Sequence, residues 1–242
     1  RGGPGKAKTN GKIQKLFDED LGSDTEAVLL NTLFFSESWL NSFVIEENPS
    51  DFRLANGEIK QIQYMKIEGF DFEQSKYLRK DDYSIVQIPF NSTGVEFYFG
   101  ILLPDSDGVD LSLYIPQMSS IREAEYHPVQ LRMPSFKFDQ IHNKLKDILK
   151  QMGIKKLFEN KAESSEMISE SLKVDEIIQK ATVSVDEKGV EATAANMASM
   201  LTRSLKHTHP DTIYLNVTRP FIFTISEQNS KIDLFTGIVY DP

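Results

Sequence analysis

The chain has no cysteine among its 242 residues, which excludes disulfide bridges, zinc thiolates and thiol catalysis. Histidine is scarce: there are only His127, His142, His207 and His209. His207-Thr-His209 could set two imidazoles on one side of an extended loop. No third ligand lies near them in sequence, so a surface loop is the simpler reading. The G-x-S-x-G motif is missing. The acidic pairs Glu46-Glu47 and Asp81-Asp82 read as solvated turns, and Asp18-Glu19-Asp20 as a solvated run beside a helix end. No catalytic set, metal or cofactor is therefore expected, and the chain is not read as an enzyme. No apolar run is long enough to span a bilayer, which argues against a membrane partner. A net charge of -9 argues against nucleic acid, and no basic patch for a polyanionic cofactor is conspicuous.

What is present is mostly short β segments. Arg1 to Lys8 reads as a flexible basic leader; Gly5-Lys6 is followed by Ala and preceded by no strand, so it fails the phosphate-loop template. Lys12 to Leu21 reads as a short helix or loop. Ala27 to Leu40 carries apolar residues on both parities, which predicts a central strand covered on both faces, with Asn31 a buried amide needing partners. Asn56-Gly57 predicts a hairpin turn between Phe52–Leu54 and Ile59–Ile62. Phe70–Phe72, Tyr83–Phe90 and Val95–Leu103 follow as strands, and Tyr126–Gln140 as an extended piece interrupted by Pro128 and Pro134. Ile141, Leu145, Ile148, Leu149 and Met152 fall at helical spacing, with Asp139 as N-cap and Gly153 as C-terminal cap. Glu159 to Ser171 reads as a polar surface loop. The expected architecture is α+β, mostly antiparallel sheet with a few helices.

The most informative stretch runs from Val185 to Ser204. Ala181, Val183 and Val185 alternate with polar residues as a strand does. Gly189 then permits a sharp change of direction. The residues after it are mostly small, and no proline occurs before Pro210, so each could donate to a β ladder. Period-two alternation puts Val190, Ala192, Ala194, Asn196, Ala198, Met200 and Thr202 on one face, and Glu191 on the other. Arg203-Ser204 is a long cation followed by a small residue. That is a suitable bait bond for a protease with an acidic specificity pocket.

Glu187-Lys-Gly-Val-Glu-Ala-Thr-Ala-Ala195 resembles the loop hinge of the serpin family of serine protease inhibitors. Arg219-Pro-Phe-Ile-Phe-Thr-Ile225 and Leu234-Phe-Thr-Gly-Ile-Val-Tyr-Asp-Pro242 look like that family's closing signature. Thr9-Asn-Gly-Lys-Ile13 and Asn31-Thr-Leu-Phe-Phe-Ser-Glu-Ser-Trp39 match it upstream, so the resemblance covers about Thr9 to Pro242.

The resemblance implies one serpin-like domain over 9–242, after a leader at 1–8, with a mobile reactive loop at about 187–212. It implies a trypsin-like serine protease as partner, a reactive bond at Arg203-Ser204, and a hinge of Glu187, Gly189, Val190, Glu191, Ala192, Thr193, Ala194 and Ala195. Lys206 is the competing scissile position. Asn31, Trp39 and Gln179 would form the network that governs sheet opening, with Gln179 standing where the family usually has histidine. Cleavage would let 190–203 insert as a strand between Ala27–Leu40 and Ile177–Asp186. A non-inhibitory, substrate-like or truncated family member is the alternative. The N-terminal part of the family's fold has no counterpart here, which leads us to expect a bare edge on Ala27–Leu40 and self-association through it. Two sequons, Asn91-Ser-Thr93 and Asn216-Val-Thr218, mark glycosylation candidates and favour secretion, with an intracellular location left open and no signal peptide visible.

Overall fold

The computed structural model describes residues 27–67, 75–142, 144–159, 173–190 and 210–242. Along the chain lie β1 (Ala27–Phe34), β2 (Glu37–Ser38), β3 (Phe43–Ile45), β4 (Ser50–Arg53), β5 (Ile59–Ile62) and β6 (Tyr64–Ile67). Then come β7 (Lys76–Arg79), β8 (Tyr83–Pro89) and β9 (Phe97–Pro104), a 3-10 segment at Leu111–Glu123, and β10 (Glu125–Tyr126), β11 (Val129–Pro134) and β12 (Phe136–His142). Helix α1 (Leu145–Gln151) leads to β13 (Val174–Val185), β14 (Gly189–Val190), β15 (Ile213–Asn216), β16 (Phe221–Glu227) and β17 (Ile232–Val239). The predicted segments Lys12–Leu21 and Phe70–Phe72 lie outside the described residues, as does nearly all of the predicted loop Glu159–Ser171.

The described residues group into two compact units, 27–35 with 138–183, and 36–137 with 184–242. In the first, β1 runs parallel to β13 from Ala27↔Val174 to Phe34↔Thr182. β12 also pairs with β13. Asp139 accepts hydrogen bonds from Thr182 Oγ1 at 3.3 Å and Lys180 Nζ at 3.2 Å.

Three expectations fail in this unit. Asp139 caps no helix: the β ladder continues through Ile141 and His142, and α1 starts only at Leu145, behind Lys144. The apolar spacing at Ile141 is therefore shared with a strand, where Val- and Ile-type residues are equally at home. Nor is β1 covered on both faces. Leu29 and Leu30, on opposite faces, are 42% and 37% exposed, and Asn31 is exposed rather than a buried amide. Gly153, with φ 97°, does end α1 in the left-handed conformation expected of it.

The second unit holds a six-stranded sheet in the order β10-β7-β8-β9-β16-β17 and a four-stranded one in the order β15-β11-β6-β3. β8 and β9 lie inside the larger sheet, so their apolar residues on both parities are buried as expected. The 3-10 segment, which the sequence pattern did not announce, runs on through Pro116. It sets Leu111 and Met118 against Tyr83, Ile85, Leu102 and Ile222. The Asn56-Gly57 turn joins β4 to β5 as predicted, with Gly57 at φ 86° and its N–H donating to Leu54 O at 2.9 Å.

Candidate functional site

The site is built where β13 ends and turns back. Asp186 Oδ1 accepts from the main-chain N–H of Lys188 at 2.8 Å and of Gly189 at 3.2 Å, the Asx pattern that starts a tight turn. Asp186 N–H donates to Gly189 O at 3.0 Å and closes it. After the turn, β14 lies antiparallel to the end of β13 through Val185↔Val190. On its other side it pairs with β2, as Gly189↔Ser38 and Val190↔Glu37. Val185 and Val190 are both buried, so the turn is anchored by apolar residues as well as by its ladder.

Gly189 has φ 153°, and a Cβ there would sit 2.2 Å from Glu37 O and 2.6 Å from Ser38 Cα. Only glycine lets the two backbones approach this closely. Close approach of the two backbones is thus a second reason for glycine at this position, beside the change of direction read from the sequence.

Trp39 holds the turn from the other side. It is fully buried, its Nε1 donates to Asp186 O at 2.7 Å, and its main-chain N–H donates to Lys188 O at 3.0 Å. Phe43 N–H donates to Glu187 O at 3.0 Å. The indole stacks on Phe90 at 4.8 Å and meets Phe43 and Phe99 edge-on, each at 5.3 Å. The turn Asp186–Gly189 therefore receives three donors from 39–43, while Phe90 and Phe99 fix the ring that supplies one of them.

Glu37 is the ionisable group in this ladder, and its partial burial raises its carboxyl above the ordinary value. Lys188 Nζ stands 3.7 Å from Glu187 Oε1 in a part-exposed pair, which contributes little.

Of the residues singled out in the sequence, Trp39, Glu187, Gly189 and Val190 come together here. Asn31 and Gln179 are opposite each other in the β1–β13 register, in the first unit. Asn91 and Asn216 both carry exposed side chains. Glu191, Ala192, Thr193, Ala194, Ala195, Arg203 and Ser204 lie outside the described residues, as do Lys206, His207 and His209. Sequence reasoning missed Asp186, Glu37, Ser38, Phe43 and Phe90. Asp186-x-x-Gly189 was a readable turn signal. The other four reach the site only through pairing across the fold.

Residues 5–242 match the family described as serpin (serine protease inhibitor). The chain belongs to the serpin family. Iripin-2 of Ixodes ricinus is 30% identical over 244 residues, which cover 97% of this chain and 58% of that protein. The alpha-1-antitrypsin homolog of Cyprinus carpio is 32% identical over 253 residues, covering 97% and 61%. Among solved structures, Serpin48, a highly specific serpin of the insect Tenebrio molitor, superposes with a TM-score of 0.76 at 28% identity, over 98% of this chain and 62% of that one. The chain thus spans about three-fifths of the length of these serpin relatives. Serpins are generally protease inhibitors rather than enzymes.

Proposed function

We propose that the chain acts as a bait-loop inhibitor of trypsin-like serine proteases. The single observation that supports this most is the turn at Asp186–Val190. It is a strand end folded back through a glycine that no other residue can replace, with the first residue beyond it, Val190, already paired to β2. In this reading the protease seats the Arg203 guanidinium in its acidic pocket, attacks the Arg203 carbonyl and forms an acyl-enzyme. Cleavage frees 190–203 to continue past Val190 as a new strand between β1 and β13. These two are paired directly with one another over eight register positions, so insertion must part that ladder.

The energetics allow it. Each net backbone hydrogen bond contributes about 1 kcal/mol. An inserted strand replaces the β1–β13 ladder with two, and a gain of roughly 10 kcal/mol is comparable with a whole domain's stability. A distortion of the tethered protease that removes only about 4 kcal/mol of transition-state stabilisation slows hydrolysis of the acyl ester about a thousandfold. The Asn91 sequon, in an exposed turn, supports a secreted protein. The edge of β1, exposed on both faces, supports self-association of the chain as part of the same reading.

Incubation with trypsin tests the proposal. The expected result is a complex that survives SDS, containing a chain cut so that a new N-terminus begins at Ser204. Cleavage at that bond with fully active trypsin left over favours the second reading, a substrate-like family member that does not trap proteases. The observation behind that alternative is the direct pairing of β1 with β13 over eight register positions, a closed ladder that an inserting strand would have to part.

A further inference from the structure

Two sequons occur, and their surroundings differ. Asn216 lies in β15, opposite Arg132 of β11. The next residue, Val217, is fully buried and donates its N–H to Arg132 O at 2.8 Å, and Thr218 O accepts from Arg53 N–H at 2.9 Å. The Asn216 sequon is thus stitched down along its length. Asn91, by contrast, begins the turn between β8 and β9, where Asn91, Thr93, Gly94, Val95 and Glu96 are all exposed and Gly94 turns the chain at φ 84°. A glycosyl-transferring enzyme must reach the asparagine amide and the Thr hydroxyl together, which an open turn permits and a paired strand with a buried middle residue does not.

Asn91 is also close to the hinge. Its main-chain N–H donates to Ser38 O at 2.8 Å, Trp39 bridges Phe90, and Leu40 N–H donates to Pro89 O at 3.3 Å. The ribbon 37–40 therefore has 89–91 on one side and the turn Lys188–Val190 on the other. One strand separates Asn91 from Gly189, a span of about 10 Å at ordinary sheet spacing.

We propose that Asn91 is an N-linked glycosylation site, and that the oligosaccharide there braces the ribbon that holds the hinge. The donor is a polyprenyl-diphosphate-linked oligosaccharide. Asn91 Nδ2 attacks the anomeric carbon, a C–N bond forms, the C–O bond to the diphosphate breaks, and the amide gives up one proton as the polyprenyl diphosphate leaves. A large hydrated group on the turn shields the Asn91–Ser38 hydrogen bond from water and slows its opening, so amide exchange at Trp39 and Gly189 falls. Neither part depends on whether the chain traps a protease.

The test is secretion of the chain from a eukaryotic host, followed by intact mass with and without an N-glycosidase. Wild type should carry an oligosaccharide that both Asn91→Gln and Thr93→Ala remove and Asn216→Gln leaves in place. A protein whose mass the glycosidase does not change, or one modified at Asn216 alone, overturns the assignment. For the brace, hydrogen exchange at Trp39 and Gly189 should be several-fold slower in the wild type than in Thr93→Ala, which keeps Asn91 and loses only the sequon. Emission of Trp39, the chain's single tryptophan, provides a second reading of the same ribbon. Equal exchange in the two proteins overturns the bracing role.

Discussion

The indole Nε1 of Trp39 donates to the main-chain carbonyl of Asp186 at 2.7 Å, across 147 residues of sequence. That bond joins the ribbon after β2 to the turn that follows β13. Phe can keep the stack on Phe90 but cannot donate. Trp39→Phe should therefore leave the Asp186 carbonyl short of a partner in a part-buried site and cost about 1–3 kcal/mol. Denaturant unfolding should show a lower midpoint with an unchanged slope. An unaltered midpoint would mean that water reaches the Asp186 carbonyl and the indole donor is dispensable.

Gly189→Ala is a separate test, because it acts on sterics and leaves every donor in place. The new methyl would lie 2.2 Å from Glu37 O, and backbone cannot yield as a side-chain tip can. The expected outcome is loss of the Gly189↔Ser38 pairing and a destabilisation of about 1–3 kcal/mol. With trypsin, the variant should shift from SDS-stable complex towards plain cleavage, since the loop can no longer start its insertion beside β2. A variant that traps as efficiently as the wild type contradicts the hinge role given to this turn.

Local signals in the sequence carried the turn, the hairpins and the interior strands. Asn56-Gly57 fixes its hairpin by backbone preference alone, and the β8 and β9 residues announce burial on both parities. What was not legible depends on neighbours. β1 reads as a central strand because its side chains are apolar on both faces, yet how much of it is covered depends on what packs there, and Leu29 and Leu30 remain exposed. Ile141 fits a helix by spacing, but continued pairing of β12 outweighs seven helical residues that bury none of their side chains. Glu37 and Phe43 carry no signal at all, since they matter only through main-chain pairing with a turn far along the chain.

Glu46 and Arg132 give a prediction in pH. Arg132 makes a bidentate pair with Glu46, at 2.9 Å and 2.6 Å, and its guanidinium lies 3.6 Å from the centre of the Tyr64 ring. The hydrogen bond from Arg132 holds the Glu46 carboxyl below its ordinary value, against opposing desolvation. Burial pushes the Tyr64 phenol up to about 12, so it stays neutral. A folded-state value lowered in this way contributes stability above the unfolded carboxylate pKa, and that stability is lost as pH falls through the lowered value. Glu46→Gln should therefore be less stable than the wild type by about 2 kcal/mol at neutral pH. The gap should close below the ordinary carboxylate range. A gap that persists in acid would assign the loss to packing instead of the ion pair.

The last prediction concerns the edge of β1. Among the described residues this strand ends its sheet order and pairs only with β13, and its eight residues, Ala-Val-Leu-Leu-Asn-Thr-Leu-Phe, include no charge and no proline. β17, an edge strand of the same length, carries Asp233. Charges and prolines are what keep edges from pairing with other chains. Two copies meeting antiparallel about a two-fold axis between Leu30 and Asn31 would place Val28 opposite Leu33 and Ala27 opposite Phe34, with no like charges facing. The chain should therefore sediment as a dimer at micromolar concentration. Leu30→Lys would put a charge in the middle of the shared edge, beside the axis in each copy, and should return it to a monomer without unfolding it, because Leu30 is already 37% exposed. A wild-type chain that stays monomeric and monodisperse across that concentration range would show the edge to be covered in solution and the pairing not to occur.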